Sequence, residues 1–160
     1  MGKNALNGVL FFQKCIVVND KAQILALKRS RSKDHGGRSE AWDLPGGTYE
    51  LGEDVIDSIK REVKEETNLL IIDPRPIYVA SGQNFQSEFM SGENVFAVTY
   101  VCRDWEGLPA EASAKEGEVK ISDKHTEFRW VTPEEFMSFD FGDDGGFFVS
   151  SMKAYTTLLR

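Results

Sequence analysis

Residues 47–69 read GTYELGEDVIDSIKREVKEETNL, and this stretch decides the fold of the chain. Its apolar residues recur at steps of three and four, which predicts an amphipathic helix. At about 100° per residue, three carboxylates fall within an arc of roughly 100° on that helix, namely Glu62, Glu65 and Glu66. Like charges at these spacings destabilise a helix unless a cation is near. Because Mg²⁺ and Mn²⁺ prefer oxygen ligands, the helix is expected to bind a divalent metal.

The residues around these glutamates support a functional site. Taken alone, a Glu-X-X-Glu-Glu segment is more often a solvated acidic face of a helix. Here the Pro-Gly-Gly sequence at 45–47 precedes it, and such a loop can bring carbonyl oxygens close to a metal. A fourth acid, Glu53, follows in the same loop. Arg61 lies four residues after Asp57 and four before Glu65, so it can pair with either carboxylate.

The stretch resembles the Nudix box, the signature of enzymes that cleave nucleoside diphosphates linked to another group, usually with magnesium. That pattern requires a glycine, an arginine, four glutamates and two apolar positions at set spacing. Asn68 stands where the pattern has its last glycine. The resemblance implies an α/β/α sandwich with a mixed β-sheet, the box loop and helix, and a C-terminal helix. The alternation of strand-like and helix-like segments independently predicts a mixed α/β domain.

The resemblance also implies roles for individual residues. One or more Mg²⁺ ions, or Mn²⁺ in their place, are expected to bind the Gly46 carbonyl, Glu62, Glu65 and Glu66. Glu66 is expected to be the principal ligand, and Arg61 to orient the glutamates. Glu53 is expected to close the loop and assist the metal. A glutamate must accept the proton of the attacking water, and the sequence leaves the choice between Glu62 and Glu65 open.

Two positions depart from the family pattern. Asn68 is compatible with a helix C-cap, because asparagine adopts the left-handed conformation more readily than most residues. In the segment around His125, Lys124 stands where the family often has a glutamate that serves as an extra metal ligand or base. The candidates to replace that carboxylate are Asp123, Glu116 and Glu118. Alternatively the box glutamates suffice to bind the metal, and these three acids are only solvent-exposed residues of a loop.

The composition narrows the class of protein. With 160 residues, 41% of them hydrophobic, residues 1–160 are expected to form a single domain. A net charge of −7 works against attraction to a nucleic-acid backbone, so no polymeric nucleic-acid partner is expected. No apolar run is long enough for a membrane span or signal peptide. Two cysteines, Cys15 and Cys102, fit buried thiols and a cytoplasmic setting.

The remaining elements follow from apolar runs and turn residues. Strands are predicted at 8–18, 22–28, 76–82, 94–103 and around 127–131. A turn at 19–21 predicts that the first two strands form an antiparallel hairpin. Residues 29–41 read as an exposed loop and 104–123 as a largely polar stretch. A closing helix is predicted from one apolar stripe formed by Phe148, Met152, Tyr155 and Leu159.

The substrate is predicted less sharply than the reaction. Cations before the box are candidates for binding terminal phosphates, chiefly Arg29, Arg31 and Arg38. Phe85 is a candidate for stacking on a base, although aromatic residues in such segments are more often part of the core. The partner is expected to be a small nucleotide, most plausibly a nucleoside triphosphate, ordinary or modified, that yields a monophosphate and pyrophosphate.

Several alternatives stay open at this point. A dinucleoside polyphosphate or a nucleotide sugar is the alternative substrate. A catalytically inactive nucleotide-sensing or protein-binding module with the same fold is the alternative function, and isomerisation of an allylic diphosphate is a more remote one. The sequence does not choose between a monomer and a homodimer.

Overall fold

The computed structural model describes residues 5–6, 9–32, 38–82, 94–107 and 119–160. The strands are β1 (Ala5–Leu6), β2 (Val9–Val17), β3 (Ile24–Arg29), β4 (Trp42–Asp43), β5 (Gly46–Thr48), β6 (Leu69–Ile72), β7 (Arg75–Ser81), β8 (Asn94–Cys102), β9 (Asp104–Gly107) and β10 (His125–Val131). The helices are α1 (Val55–Thr67), α2 (Pro133–Met137) and α3 (Gly145–Leu158), and a 3₁₀ turn spans Gly142–Asp144. The α/β class is therefore confirmed.

The central sheet is mixed, as predicted. Its strands run in the order β1-β2-β8-β7, and β5 also pairs with β2. The β2 and β8 strands are parallel, whereas the other neighbours in this sheet are antiparallel. A second sheet has the order β10-β3-β4, and a small third sheet pairs β6 with β9. The long parallel pair places β2 inside the sheet, where it supports the loop that precedes the box helix.

Alternate residues of β2 face two different helices, which gives the layered α/β/α arrangement. One face contributes Phe11, Cys15 and Val17 to a core shared with α1. The other face contributes Phe12, Ile16 and Val18 to a core shared with α3. Because side chains alternate along a strand, one apolar run can fill both layers.

The predicted hairpin between the first two strands is wrong. The chain does reverse in a turn, where the Asn19 N–H donates to the Gln23 carbonyl at 2.9 Å. However, the strands touch only through an isolated bridge between Val18 and Ile24, and β3 then joins the second sheet. The physical reason is that both edges of β2 are already occupied, one by β8 and the other by β1 and β5.

The C-terminal helix is confirmed, with one difference at its end. Phe148, Met152 and Tyr155 are buried against the sheet as the stripe predicts. The helix ends at Leu158, however, and Leu159 is 53% exposed. The fourth position of the predicted stripe therefore contributes nothing to the core.

Short elements escaped the sequence prediction. The β9 strand begins the stretch read as polar, and its Trp105 stacks on Trp130 with ring centroids 5.5 Å apart. The α2 helix has five residues, too few to show a helical period, although Thr132 and Glu135 form a capping box around it. No helix in the described parts of the chain has both the length and the apolar character needed to cross a membrane.

The box helix is closed at both ends by side chains next to it in sequence. Asp54 is the N-cap, and its carboxylate accepts the N–H groups of Ile56 and Asp57. At the other end Asn68 adopts the left-handed conformation with φ 64°, and its N–H donates to the Lys64 carbonyl. The predicted role of Asn68 as a C-cap is confirmed.

The cap conformation leads to a test at residue 68. Asn68→Gly is expected to leave the free energy of unfolding within about 0.5 kcal/mol of the wild type, because glycine adopts a positive φ freely. Asn68→Ala is expected to lose about 1 kcal/mol, because a Cβ strains this conformation and alanine lacks the local hydrogen bonding of asparagine. Urea denaturation of the three proteins measures the difference. Equal stability of the alanine and glycine variants would contradict the assignment.

Candidate active site

Glu66 lies where the last turn of α1 meets the loop before β5. The carboxylate is only 9% exposed, and its Oε2 atom accepts the Gly46 N–H at 3.2 Å. The His125 Nε2 atom lies 4.0 Å from the same oxygen, and the Ser122 N–H donates to the Glu66 backbone carbonyl at 3.2 Å. Glu66 therefore joins the box helix to the glycine loop and to the start of β10.

The two glycines of the loop allow two different close contacts. Gly46 has φ 145°, and a Cβ built there would lie 2.0 Å from the backbone oxygen of Gln13 on β2. A Cβ on Gly47 would instead lie 2.3 Å from the Glu62 Oε2 atom. Gly46 thus lets the loop approach the sheet, and Gly47 makes room for the carboxylate of Glu62.

Arg61 binds several of the surrounding carboxylates at once. Its Nε and Nη2 atoms donate to the two carboxylate oxygens of Glu53 at 2.6 and 3.1 Å. Its Nη1 atom donates to Glu62 at 2.9 Å and to Glu65 at 3.3 Å. The pairing with Glu65 agrees with the sequence analysis, and the contacts with Glu53 and Glu62 extend it. Arg61 is therefore placed to set the orientation of the box carboxylates.

Glu53 closes the loop that leads into α1, as predicted. Its Oε2 atom accepts the Glu50 N–H at 3.3 Å, and the Tyr49 hydroxyl donates to its backbone carbonyl at 2.8 Å. The hydrogen bonds from Arg61 lower the pKa of Glu53 to about 2. The group is consequently ionised throughout the neutral range and keeps Arg61 in place.

A second group of charges packs behind the box residues, and we call it the basic cluster. It consists of Asp43 with Lys14, Arg29 and Arg38. The Lys14 and Arg29 side chains lie 3.0 and 2.9 Å from the Asp43 carboxylate, and Arg38 lies 3.6 Å from it. Burial alone would raise the pKa of Asp43, but the three cations together hold it well below its usual range.

The structure places the predicted substrate residues in different surroundings. Arg29 and Arg38 both belong to the basic cluster, and Arg38 also lies over the Phe148 ring at 4.7 Å. Arg31 is 86% exposed and lies 3.6 Å from Glu40. Phe85 lies outside the described residues, so its predicted stacking role stays a prediction.

The position where the family often has a glutamate is occupied by an exposed lysine. Lys124 lies just before His125, and its charge acts on Glu62 by lowering its pKa in opposition to burial. Asp123 beside it is exposed as well. The other candidates to replace that glutamate, Glu116 and Glu118, lie outside the described residues.

Sequence reasoning missed three residues of this region: Lys14, Asp43 and His125. Lys14 carried a signal, since it interrupts an otherwise apolar strand, and an inward-facing charge there needs a partner. Asp43 precedes the Pro-Gly-Gly loop but shares no periodic pattern with the helix. Nothing in the local sequence shows that His125 approaches Glu66, because the two residues meet only through tertiary packing.

Burial sets the protonation of the innermost groups. It raises the pKa of Glu66 to about 7 with help from Asp43 and Glu62, although Lys14 and the Gly46 N–H favour the ionised form. Burial also raises the pKa of Glu62, against the effect of Arg61. It lowers the pKa of His125 to about 4, so this imidazole is neutral at pH 7. Burial thus opposes ionisation of both carboxyl groups despite the nearby cations, and a divalent cation would favour their ionised form.

The residues fit an oxygen-liganded divalent cation by their chemistry and surroundings. Glu62 and Glu66 are buried side by side, and Gly47 leaves the room that a larger residue would fill. Glu65 is 55% exposed and turned to Arg61. Within the ranges that the structure describes, no three His, Cys, Asp or Glu side chains already converge as a closed metal site. A backbone carbonyl of the glycine loop, together with water or substrate oxygens, could complete the coordination of a cation held by these carboxylates.

The raised pKa of Glu66 predicts a pH dependence of stability. The folded protein keeps this proton up to about pH 7, whereas the unfolded chain releases it near the ordinary value of 4.5. Between these two pH values the folded state binds more protons than the unfolded chain. The contribution of Glu66 to the free energy of unfolding therefore falls as the pH rises. The free energy of unfolding of Glu66→Gln, relative to that of the metal-free wild type, is therefore expected to rise by on the order of 3 kcal/mol from pH 4.5 to pH 7.5.

The difference between the two proteins is the quantity to measure, by urea denaturation in chelator across this pH range. The depressed pKa of His125 acts in the opposite direction between about pH 4 and 6.5 in both proteins, so it cancels in the difference. A constant difference between wild type and variant would contradict the burial of Glu66.

Comparison with known proteins gives a consistent result. The family described as "NUDIX domain" matches residues 14–147. The nucleoside triphosphatase NudI of Escherichia coli O17:K52:H18 is 26% identical over 129 residues, which cover 78% of this chain and 83% of that protein. The family match includes the box helix, the loop before it and β10.

Solved structures share the fold at lower identity. The MutT protein from Methanosarcina mazei Go1 has a TM-score of 0.65 at 23% identity, covering 91% of this chain and 94% of that one. The NUDIX domain of Shewanella oneidensis NrtR, solved with ADP ribose, has a TM-score of 0.70 at 13% identity. The match covers 100% of this chain and 94% of that one. These likenesses concern the fold alone, while the family match spans most of the sequence. The chain therefore belongs to the Nudix family of pyrophosphohydrolases.

Proposed function

We propose that this enzyme hydrolyses a nucleoside triphosphate, ordinary or modified, to a monophosphate and pyrophosphate. The observation that carries the proposal is the pair of buried carboxylates, Glu62 and Glu66, that Arg61 and the glycine loop hold together at the end of the sheet. The similarity to a nucleoside triphosphatase at 26% identity supports the choice of substrate. We propose further that residues 1–160 act as one domain in the cytoplasm on small nucleotides rather than on polymers.

We propose that Mg²⁺, with Mn²⁺ as a substitute, binds the Gly46 carbonyl, Glu62, Glu65 and Glu66. Their oxygen atoms are the ligands that these ions prefer, and Glu62 and Glu66 lie beside the glycine loop, where burial raises the pKa of both carboxyl groups. When bound, the metal supplies charge neutralisation of phosphate oxygens and a lower pKa of a bound water.

The protein's own groups position the reaction and move its proton. Arg61 keeps Glu62 and Glu65 in fixed orientations through its Nη1 atom. Between these two, we favour Glu62 as the group that accepts the proton of the attacking water, because burial raises its pKa toward the neutral range. Glu65 is more exposed and remains the alternative base and an additional metal ligand.

Phosphate groups that the metal does not hold require cations from the protein. Arg29 is the best placed of the three predicted arginines, since it is 24% exposed at the end of β3 and pairs in register with His125 beside Glu66. Arg38 supports Arg29 from within the basic cluster, and Arg31 offers an exposed charge nearby in sequence. Phe85 stays our proposal for the stacking residue.

The function is tested by comparing wild type with Glu66→Gln. Purified protein with Mg²⁺ is expected to release pyrophosphate from at least one nucleoside triphosphate in a panel that includes nucleotide sugars and dinucleoside polyphosphates. Glu66→Gln is expected to lower kcat by roughly 10²-fold or more while the protein stays folded. It removes the principal proposed metal ligand, and changes to residues that only support metal ligands already cost about 10–100-fold. Product identification by chromatography measures both.

A matched control is Glu106→Gln, which removes an exposed carboxylate from β9 outside the box. It is expected to retain wild-type activity. Nucleotide binding without release of phosphate or pyrophosphate by the wild type would instead favour an inactive sensing module. Turnover restricted to dinucleoside polyphosphates or nucleotide sugars would replace the substrate class but keep the reaction.

The two loop glycines provide a second test. Gly47→Ala is expected to fold, because its Cβ meets only the end of the Glu62 side chain, but to lower Mn²⁺ affinity and kcat by about 10–100-fold. Gly46→Ala is expected to lose about 3 kcal/mol or more of stability, because its Cβ meets the β2 backbone and its φ is positive. Thermal unfolding measures the loss of stability, and Mn²⁺ titration measures the loss of metal affinity. An equal loss of stability in the two variants would contradict the separate roles of Gly46 and Gly47.

A further inference from the structure

Lys14 occupies a position on β2 that is otherwise filled by apolar residues. Its neighbours on the same face of the strand, Phe12 and Ile16, belong to the core shared with α3. The Lys14 side chain is only 4% exposed. A buried ammonium group is unfavourable unless it has good partners, so its place on this face requires an explanation.

Neutralising Asp43 does not explain it. Asp43 already accepts the Arg29 Nε–H at 2.9 Å and lies 2.9 Å from the Arg29 Nη2 and 3.6 Å from the Arg38 Nη2. One carboxylate beside two arginines needs no third cation for its charge. Besides its contact with Asp43, the Lys14 Nζ donates to the Leu44 carbonyl at 3.2 Å.

The Leu44 carbonyl lies in the segment that carries the site. Residues 43–46 connect β4 to β5, and Gly46 stands opposite Lys14 in the register of β2 with β5. On the next residue of β2, the Cys15 N–H donates to the Pro45 carbonyl at 2.8 Å. Lys14 thus holds the first half of the segment while the β2 backbone holds the second half.

The far end of the segment presents a donor to the principal box carboxylate. The Gly46 N–H donates to the Glu66 Oε2 atom at 3.2 Å, so its direction depends on how residues 43–46 are seated on β2.

We propose that Lys14 is a positioning residue of the active site, whose ammonium group seats residues 43–46 on β2 so that the Gly46 N–H holds the Glu66 carboxylate. This inference rests on the proposed function of Glu66. It assigns Lys14 no contact with substrate or with the reacting atoms. Its effect reaches the chemistry only through Leu44, Asp43 and Gly46.

Lys14→Met separates positioning from a purely structural role. Methionine is uncharged and only one atom shorter than lysine. Asp43 keeps both arginines as partners, so its charge stays compensated and the variant is expected to fold with a Tm close to that of the wild type. A structural role would then leave activity unchanged. A positioning role predicts a kcat lowered by about 10–100-fold, the range found for residues that support metal ligands, with KM within about twofold of the wild type.

A second readout does not depend on turnover. In the metal-free protein the Gly46 amide is expected to exchange its hydrogen faster in Lys14→Met than in the wild type, because its acceptor is less well placed. Two-dimensional NMR of ¹⁵N-labelled protein measures this exchange together with that of amides elsewhere on β2. Lys21→Met is the matched control, since it removes an exposed lysine from the turn after β2 and is expected to change neither readout.

The outcomes distinguish this inference from the proposed function. If the wild type is active and Glu66→Gln is not, unchanged kcat and unchanged Gly46 exchange in Lys14→Met overturn the inference and leave the function standing. If the wild type turns over no substrate, the proposed function fails, while Gly46 exchange still tests the seating of residues 43–46. Should Lys14→Met not fold, Lys14→Leu takes its place as a second uncharged residue without a donor, and wild-type kcat and Gly46 exchange in that variant overturn the inference.

Discussion

The hydrogen bond between the Gly46 N–H and the Glu66 carboxylate is the contact on which the site depends. It joins the C-terminal end of α1 to the loop that leads into β5, so helix and sheet are connected by a polar contact at the edge of the core. An acid buried this deeply is unfavourable without partners, and this requirement determines what surrounds it. The loop must come close to β2, and cations must lie near enough to balance the charge.

The charges near Glu66 form two groups with different partners. On the helix side, Arg61 binds the box glutamates and leaves them ordered but still acidic overall. On the sheet side, the basic cluster places three cations on Asp43, an excess of positive charge next to the buried acid. A net charge of −7 would repel a nucleotide from most of the surface. Under the proposed function, the basic cluster and a bound metal would together favour phosphate groups in the neighbourhood of Glu66.

Some local rules are broken in this region, and the exceptions concentrate where function is expected. Lys14 places a charge in a core strand, and Gly46 adopts a φ that residues with a Cβ avoid. Lys124 replaces the extra carboxylate that the family often has, and its charge acts on Glu62. Among the residues that the structure describes, the proposed chemistry therefore relies on the box glutamates and the residues that support them.

The box helix, its C-cap and the set of acids on one of its faces could be predicted from the sequence, because they depend on contacts within a few residues. Asn68 ends the helix as its position predicts, and Arg61 meets Glu65 one turn away. The pairing of the strands and the approach of distant groups to the site follow from tertiary packing. The edges of β2 were taken by strands far along the chain, which sent β3 to another sheet and brought Asp43, 29 residues from Lys14, against its side chain. Such pairings depend on the competition of all strands for the same edges, which no local pattern records.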